Sequence, residues 1–159
     1  MRLNHKLRIT FAFALALLAS PAYALLSNCT VTPISGPGLQ IYNPGATSDL
    51  STTFNVQVSC IALISSGNRN VSLSFDGGLT GDPANRQAAF GSDRLNYNLF
   101  LPGGAVASNV GSGLVNLVLS LNLISSTVHT EPVTLVIPKN QYVPAGTYTD
   151  TVTVTVTFD

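Results

Sequence analysis

The sequence predicts an all-β protein made of two packed antiparallel sheets, and two observations carry that expectation. Apolar and polar residues alternate with period two along much of the chain, and no stretch has the 3.6-residue period of an amphipathic helix. The alternating runs are short, and clusters of Gly, Pro, Asn and Ser separate them with turn chemistry.

The N-terminal stretch stands apart from this pattern. Arg2, Lys6 and Arg8 precede an apolar run from position 9 to 19, and Ala22-Tyr23-Ala24 supplies the small-x-small pattern that a signal peptidase needs. The expected division is an export signal over residues 1–24, cleaved after Ala24, and one domain over residues 25–159. The apolar run is shorter than the roughly 20 residues a spanning helix requires, so no membrane span is expected once the signal is removed.

The alternation identifies the strands in order. Over residues 52–60, Phe54, Val56, Val58 and Cys60 share one face and Thr53, Asn55, Gln57 and Ser59 the other. Residues 70–75 repeat the pattern with Val71, Leu73 and Phe75 inward, and Asp76-Gly77-Gly78 ends that run. Residues 94–101 put Leu95, Tyr97 and Leu99 together in one strand. Residues 114–124 are the most apolar piece; a strand is favoured over a helix because Asn116, Ser120 and Asn122 interrupt it and Gly and Ser flank it. Val133, Leu135 and Ile137 mark a short strand bounded by Pro132 and Pro138. The last run, 147–158, turns Val152, Val154, Val156 and Phe158 one way and its threonines the other. Residues 33–45 read as a long loop. Strands of this kind without intervening helices fit an immunoglobulin-like antiparallel sandwich.

Composition excludes several functions. Without the signal the chain keeps four Lys and Arg against seven Asp and Glu, a formal net charge of −3, so the clustered positive charge that nucleic acids need is missing. Only 9% of the whole chain is charged, against about 25% in typical soluble domains, which leaves Ser, Thr and Asn to solvate the surface. Cys29 and Cys60 are the two cysteines, and in an oxidising compartment they are expected to form one disulfide. Closing that loop should contribute about 3–4 kcal/mol.

Chemistry-bearing constellations are scarce. The mature chain has one His, His129, and one Glu, Glu131, with no nucleophile elbow, so no enzyme and no cofactor is expected. His129 reads as a solvated loop residue. Asp76, Asp82 and Asp93 lie near glycines, but their spacing fits turn capping and no calcium loop. Asn28 and Asn70 match the N-glycosylation pattern, as chance permits in a chain so rich in Asn, Ser and Thr.

Taken together, Cys29, Cys60, the run Leu95-Asn96-Tyr97-Asn98-Leu99-Phe100, and the ending Val143-Pro144-Ala145-Gly146-Thr147-Tyr148-Thr149-Asp150 followed by Thr151-Val152-Thr153-Val154-Thr155-Val156-Thr157-Phe158 resemble the spore coat protein U domain, shared with subunits of archaic chaperone–usher pili. Asp76-Gly77-Gly78 followed by Arg86 adds weaker matches in the same order; residues 106–130 depart from the pattern. The resemblance implies a sandwich that lacks its last strand, which is supplied in trans by β-augmentation. The donor-strand and chaperone groove would then lie along Val152, Val154, Val156 and Phe158. The partners implied are a periplasmic pilus chaperone, an outer-membrane usher and other pilin subunits, with export through the periplasm to the cell surface or an extracellular fibre. The implied role is a structural subunit of a chaperone–usher pilus or a spore or cell-surface coat, serving surface attachment or biofilm. A tip adhesin domain binding a surface or glycan is the alternative, and a secreted enzyme the third.

One departure bears on the role. Cleavage after Ala24 leaves four residues before Cys29, about 13 Å, while a groove beside residues 150–158 runs about 30 Å. Such a chain is expected to accept a donor strand and not to supply one, as suits a terminal subunit at a fibre tip or a coat protein that does not polymerise this way.

Overall fold

A computed structural model describes residues 27–32, 36–37, 40–62, 67–122 and 124–158. Among these the chain forms nine strands: β1 Ser27–Val31, β2 Leu50–Ala62, β3 Gly67–Phe75, β4 Gln87–Phe90, β5 Asp93–Asn96, β6 Asn98–Phe100, β7 Val115–Leu121, β8 Ser125–Ile137 and β9 Val154–Phe158. They make a four-stranded sheet in the order β1-β2-β8-β6, a three-stranded sheet in the order β7-β3-β9 and a small β4-β5 hairpin, all antiparallel. The two larger sheets pack as an immunoglobulin-like sandwich.

Alternation puts one face of each strand inside. Val56, Val58 and Cys60 of β2 and Val133 of β8 are fully buried, and Val71, Leu73 and Phe75 of β3 close the core from the other sheet. Each buried aliphatic side chain of this kind stabilises the fold by about 1.5–3 kcal/mol. The Cys29–Cys60 disulfide forms as expected. The two cysteines are direct cross-strand partners, so the bond ties β1 to the inner end of β2.

Several boundaries differ from the sequence expectation. The run 94–101 is two strands in different sheets, β5 against β4 and β6 against β8; the Tyr97 amide still donates to Arg86 O in register with the β4–β5 pairing, and the change of partner falls between Tyr97 and Asn98. β8 begins at Ser125 and passes through Pro132, so Pro132 does not bound it. β6 pairs only with residues 134–136 of β8, which leaves Pro132 at an open edge, where a missing donor is tolerated. His129 accordingly sits within β8 and not in a loop. The final strand starts at Val154 and not at Thr147, since side chains take over the backbone bonds before it: Asp150 Oδ1 accepts from Thr151 N at 2.7 Å and Asp76 Oδ1 from Thr153 N at 2.9 Å. β1 and β4 are further strands that the pattern did not mark. Leu123, and residues 33–35, 38 and 39 of the expected long loop, lie outside the described residues.

Arg86 is wholly buried and organises one pole of the sandwich. Its Nη2 donates to Asp76 O at 2.6 Å and Ala107 O at 2.7 Å, its Nε to Asp76 O at 3.1 Å, and its Nη1 to Pro83 O at 2.9 Å and Asn98 Oδ1 at 2.8 Å. One guanidinium thereby joins the turn after β3, the start of β6 and the loop before β7. Burial lowers the proton affinity of Arg86, and the fields of Tyr97, Asp76, Asp150 and Asp82 oppose that effect.

Candidate functional site: an open apolar groove

β9 is a one-sided strand. It pairs with β3 from Val71↔Phe158 to Phe75↔Val154, and among the described residues no strand pairs with its other edge. The direction of its backbone groups follows from its neighbours. Asp76 N donates to Thr153 O, so the odd-numbered residues of this stretch bond towards β3. The N–H and C=O groups of Val154, Val156 and Phe158 therefore point away from β3, into the gap between the sheets.

The facing edge is also open. β1 covers only residues 58–62 of β2, and Thr32 N reaches Gln57 O, after which the outer edge of β2 from Leu50 to Val56 has no strand neighbour among the described residues. β1 and β9 approach each other at the disulfide end, so the gap narrows there. At the other end it opens into a cavity of about 900 Å³. Phe54 of β2, Leu135 and Ile137 of β8, Leu99 of β6, Leu95 of β5 and Phe75 of β3 line it, together with Val152 and Val154. Tyr42 and Ile41 lie at its mouth; Tyr42 is anchored through its hydroxyl, which donates to Pro138 O at 2.9 Å and accepts from Gln141 N at 2.8 Å.

The four residues expected along a groove divide in two. Val152 and Val154 line the cavity, while Val156 packs half-buried against the core and Phe158, 37% exposed, stands nearer β1. Phe54, Phe75, Leu95, Leu99, Leu135 and Ile137 come from strands that the sequence marked only as core, and the segments 36–44 and 143–152 supply most of the rest of the lining. Alternation reveals which side chains face inward, but it carries no signal for whether a neighbouring strand covers them.

The conspicuous C-terminal motif proves to be an anchor for this edge. Tyr148 stacks obliquely on Phe90 with ring centroids 5.7 Å apart and donates to Pro144 O at 3.0 Å. A side chain at Gly146 would collide with the Phe90 ring, which explains glycine there. Thr149 exchanges two backbone bonds with Ala89, tying the segment to β4. Asp150 accepts from Tyr97 Oη at 2.6 Å and from Leu79 N at 2.8 Å. Gly78 has a φ of +58° and sits against that carboxylate, so any side chain would be excluded by both backbone and space. Burial, followed by the bond to Asp150 and its charge, pushes the Tyr97 phenol far above its ordinary proton affinity.

The acidic residues near glycines cap turns. Asp76 Oδ1 accepts from Gly78 N at 2.9 Å, and Asp82 from Ala84 N at 2.9 Å and Asn85 Nδ2 at 2.6 Å. Partial burial works to raise the Asp76 carboxyl, but bonds from Thr153 and Gly78 and the Arg86 charge outweigh it and hold the group below its usual range. His129 Nε2 lies 3.1 Å from Glu131 Oε2 on the same strand. Among the described residues no three His, Cys, Asp or Glu side chains gather as a metal site would require.

The fold and the open edge define an immunoglobulin-like sandwich with an uncovered seam beside β9 among the described residues. The family profile of the Spore Coat Protein U domain matches residues 14–155, and the chain belongs to that family. Similar solved structures include the CsuC–CsuE chaperone–tip adhesion subunit pre-assembly complex from the archaic chaperone–usher Csu pili of Acinetobacter baumannii, at 23% identity and a TM-score of 0.47, covering 82% of this chain and 39% of that one. A chaperone–tip adhesin complex of CFA/I fimbriae biogenesis matches at 17% identity and a TM-score of 0.48, covering 82% of this chain and 42% of that one. The chain thus spans less than half the length of either. A comparison with curated proteins returned no significant match.

Proposed function

We propose that this protein is an exported structural subunit of a chaperone–usher fibre, and that the seam beside β9 accepts a β-strand from a partner. One observation carries the reading: the outward N–H and C=O groups of Val154, Val156 and Phe158 border an apolar cavity that Val152 and Val154 help to line. An added strand would satisfy those backbone groups and bury those side chains at once. A periplasmic chaperone is its first occupant and another subunit's extension its later one, with an outer-membrane usher between the two steps. The role is structural and not enzymatic, since the mature chain's one His and one Glu pair with each other on β8.

The reading includes an export signal over residues 1–24 and a terminal, acceptor-only position that serves surface attachment. β1 begins at Ser27, so cleavage after Ala24 leaves two residues before the fold, about 7 Å of chain. The five residues of β9 span about 17 Å. An extension of that length cannot fill a like groove. The family match begins at residue 14, upstream of this cleavage point, which makes N-terminal sequencing of the exported protein the direct check. A start at Leu25 is expected, and a start before Ser20 would make the chain a donor as well.

The groove is tested by co-expression with a periplasmic pilus chaperone. The wild-type chain should co-purify with it and be degraded without it, because an open strand edge over apolar side chains favours aggregation. Val154→Asp should abolish capture, since an unpaired charge in that seam costs several kcal/mol. A wild-type chain that folds alone to a stable monomer would mean that the seam is closed by the chain itself.

A further inference from the structure

The sandwich has a second flank, opposite the seam, where β8 of one sheet faces β7 of the other. β6 covers only residues 134–136 of β8, so among the described residues the outer edge of β8 over 125–133 has no strand beside it. Its free backbone groups can be identified. Leu99 O accepts from Ala107 N and Leu101 N donates to Ala105 O, so the odd residues of β6 bond away from β8, and Asn98 and Phe100 bond Val136 and Thr134. The even residues of β8 therefore present their backbone to this flank, and the odd ones bond β2. In the uncovered run the even residues are Ser126, Val128, Thr130 and Pro132, and Pro132 has no N–H to offer there.

The side chains of the odd residues lie on the core side. Thr127, His129 and Glu131 stand directly opposite Cys60, Val58 and Val56 of β2, which are fully buried, and opposed residues of an antiparallel pair share a face. Three polar side chains thus occupy the inner face of β8 along its uncovered run. Thr127 Oγ1 donates to Ser120 O at 3.2 Å, which ties β8 to the outward edge of β7 and closes that end of the flank. Beside it His129 Nε2 lies 3.1 Å from Glu131 Oε2, and the two side chains are 30% and 13% exposed. The contrast with the seam is direct: there Phe54, Val152 and Val154 line the open edge.

A strand laid on β8 would bring its own inner side chains against the His129–Glu131 pair and strip the water that remains there, which is unfavourable for an ionisable pair unless new partners are supplied. At Pro132 the strand would find no donor. Proline on an edge and inward-pointing charges are two devices by which proteins keep other strands off a free edge. We propose that His129, Glu131 and Pro132 shut this flank to strand addition, so that of the sandwich's two flanks only the seam beside β9 accepts a strand. The shut flank stands on the geometry of β8; its consequence, a chain that accepts one strand at a time, rests on the strand-acceptor reading.

The test uses the full-length exported chain, bound to a periplasmic pilus chaperone if it is captured and alone if it is not. Capture reports on the seam, and the readouts on β8 do not depend on it. In amide hydrogen exchange followed by NMR, Val128 and Thr130 should exchange faster than His129 and Glu131, whose amides face β2. Replacing the guard with strand-forming residues, His129→Val, Glu131→Val and Pro132→Thr together, should make the protein associate as concentration rises in sedimentation velocity, while the wild type keeps one mass. In the associated variant the Val128 and Thr130 amides should slow about tenfold, the effect of roughly one added hydrogen bond each, and those of Val154 and Val156 should not change. Where that variant does not fold, Pro132→Thr alone, at an exposed position, takes its place with weaker association expected. Wild-type Val128 and Thr130 amides as protected as their neighbours, a folded variant that keeps the wild-type mass at every concentration, or association that protects Val154 and Val156 and not β8 overturns the proposal.

Discussion

Replacing Arg86 with methionine tests whether one buried cation holds the upper pole of the sandwich together. Methionine fills similar space, so the loss lies in hydrogen bonds more than in packing. Three backbone carbonyls, Asp76 O, Ala107 O and Pro83 O, and the Asn98 amide oxygen all lose a charged donor. A buried acceptor left without a partner costs about 1–3 kcal/mol. Relief of the guanidinium's own desolvation, several kcal/mol, offsets part of that sum. The net destabilisation expected is about 3–5 kcal/mol, the unpartnered carbonyls at about 1–3 kcal/mol each less that relief. A domain of this size has about 5–15 kcal/mol in all. In urea, with a slope near 2 kcal/mol/M, the midpoint should fall by about 2 M. Arg86→Lys should recover little, because a point charge with three donors cannot reach both the Asp76–Ala107 pair and the Pro83–Asn98 pair. Arg94→Met, at an exposed position, should stay within about 0.5 kcal/mol of wild type. If Arg86→Met shifted stability by under about 1 kcal/mol, or no more than Arg94→Met does, the account of this pole would be wrong.

Three further outcomes are expected. Cys29→Ser and Cys60→Ser should each lower stability by about 3–4 kcal/mol in denaturant titration, the contribution of closing a loop of 31 residues. Because the folded-state affinity of Asp76 for its proton is depressed, its contribution is complete above the unfolded carboxylate value of about 3.9 and is lost as pH falls through the lower folded value; Asp76→Asn should flatten acid unfolding in that window. Tyr97→Phe should cost about 1–3 kcal/mol by leaving Asp150 without its phenolic donor, measured by thermal melting against a Tyr142→Phe control at an 85% exposed site.

The parts of the fold that were legible in the sequence are those set by side-chain periodicity. Phe54, Val56, Val58 and Cys60, then Val71, Leu73 and Phe75, announce the inward faces of β2 and β3, because a buried face forces alternation. The disulfide was legible from compartment and count. What alternation cannot carry is partner choice. Leu95, Tyr97 and Leu99 alternate without fault across a change of sheet, since their side chains stay inward while the pairing changes between Tyr97 and Asn98. Pro132 and the hydroxyl-rich run before it suggest a loop, yet both are tolerated in β8 because that stretch has a neighbour on only one side. The resemblance alone implied a groove along Val152, Val154, Val156 and Phe158, and the open lining of Phe54, Leu99 and Leu135 had no signal of its own, because an open core and a closed one have the same pattern.

A strand with neighbours on both sides is positioned by its two ladders, whereas β9 has only the one to β3. Its place must be fixed from elsewhere, and the residues just before it do so. Asp150 is gripped by Tyr97 and Leu79, Thr153 exchanges bonds with Asp76 through both backbone and side chain, and Tyr148 and Thr149 are clamped to Phe90 and Ala89. Every one of these contacts lies on segments that precede β9, and none uses the outward groups of Val154, Val156 and Phe158. The cost of ordering that edge is therefore met within the chain, before any partner arrives. On the proposed strand-acceptor reading, an incoming strand would lose only its own conformational freedom, and binding to a preorganised edge would be correspondingly tighter. The long C-terminal motif is best understood in these terms: its Gly, Tyr and Asp residues hold an unfinished edge in register, and the alternating valines that follow are the edge itself.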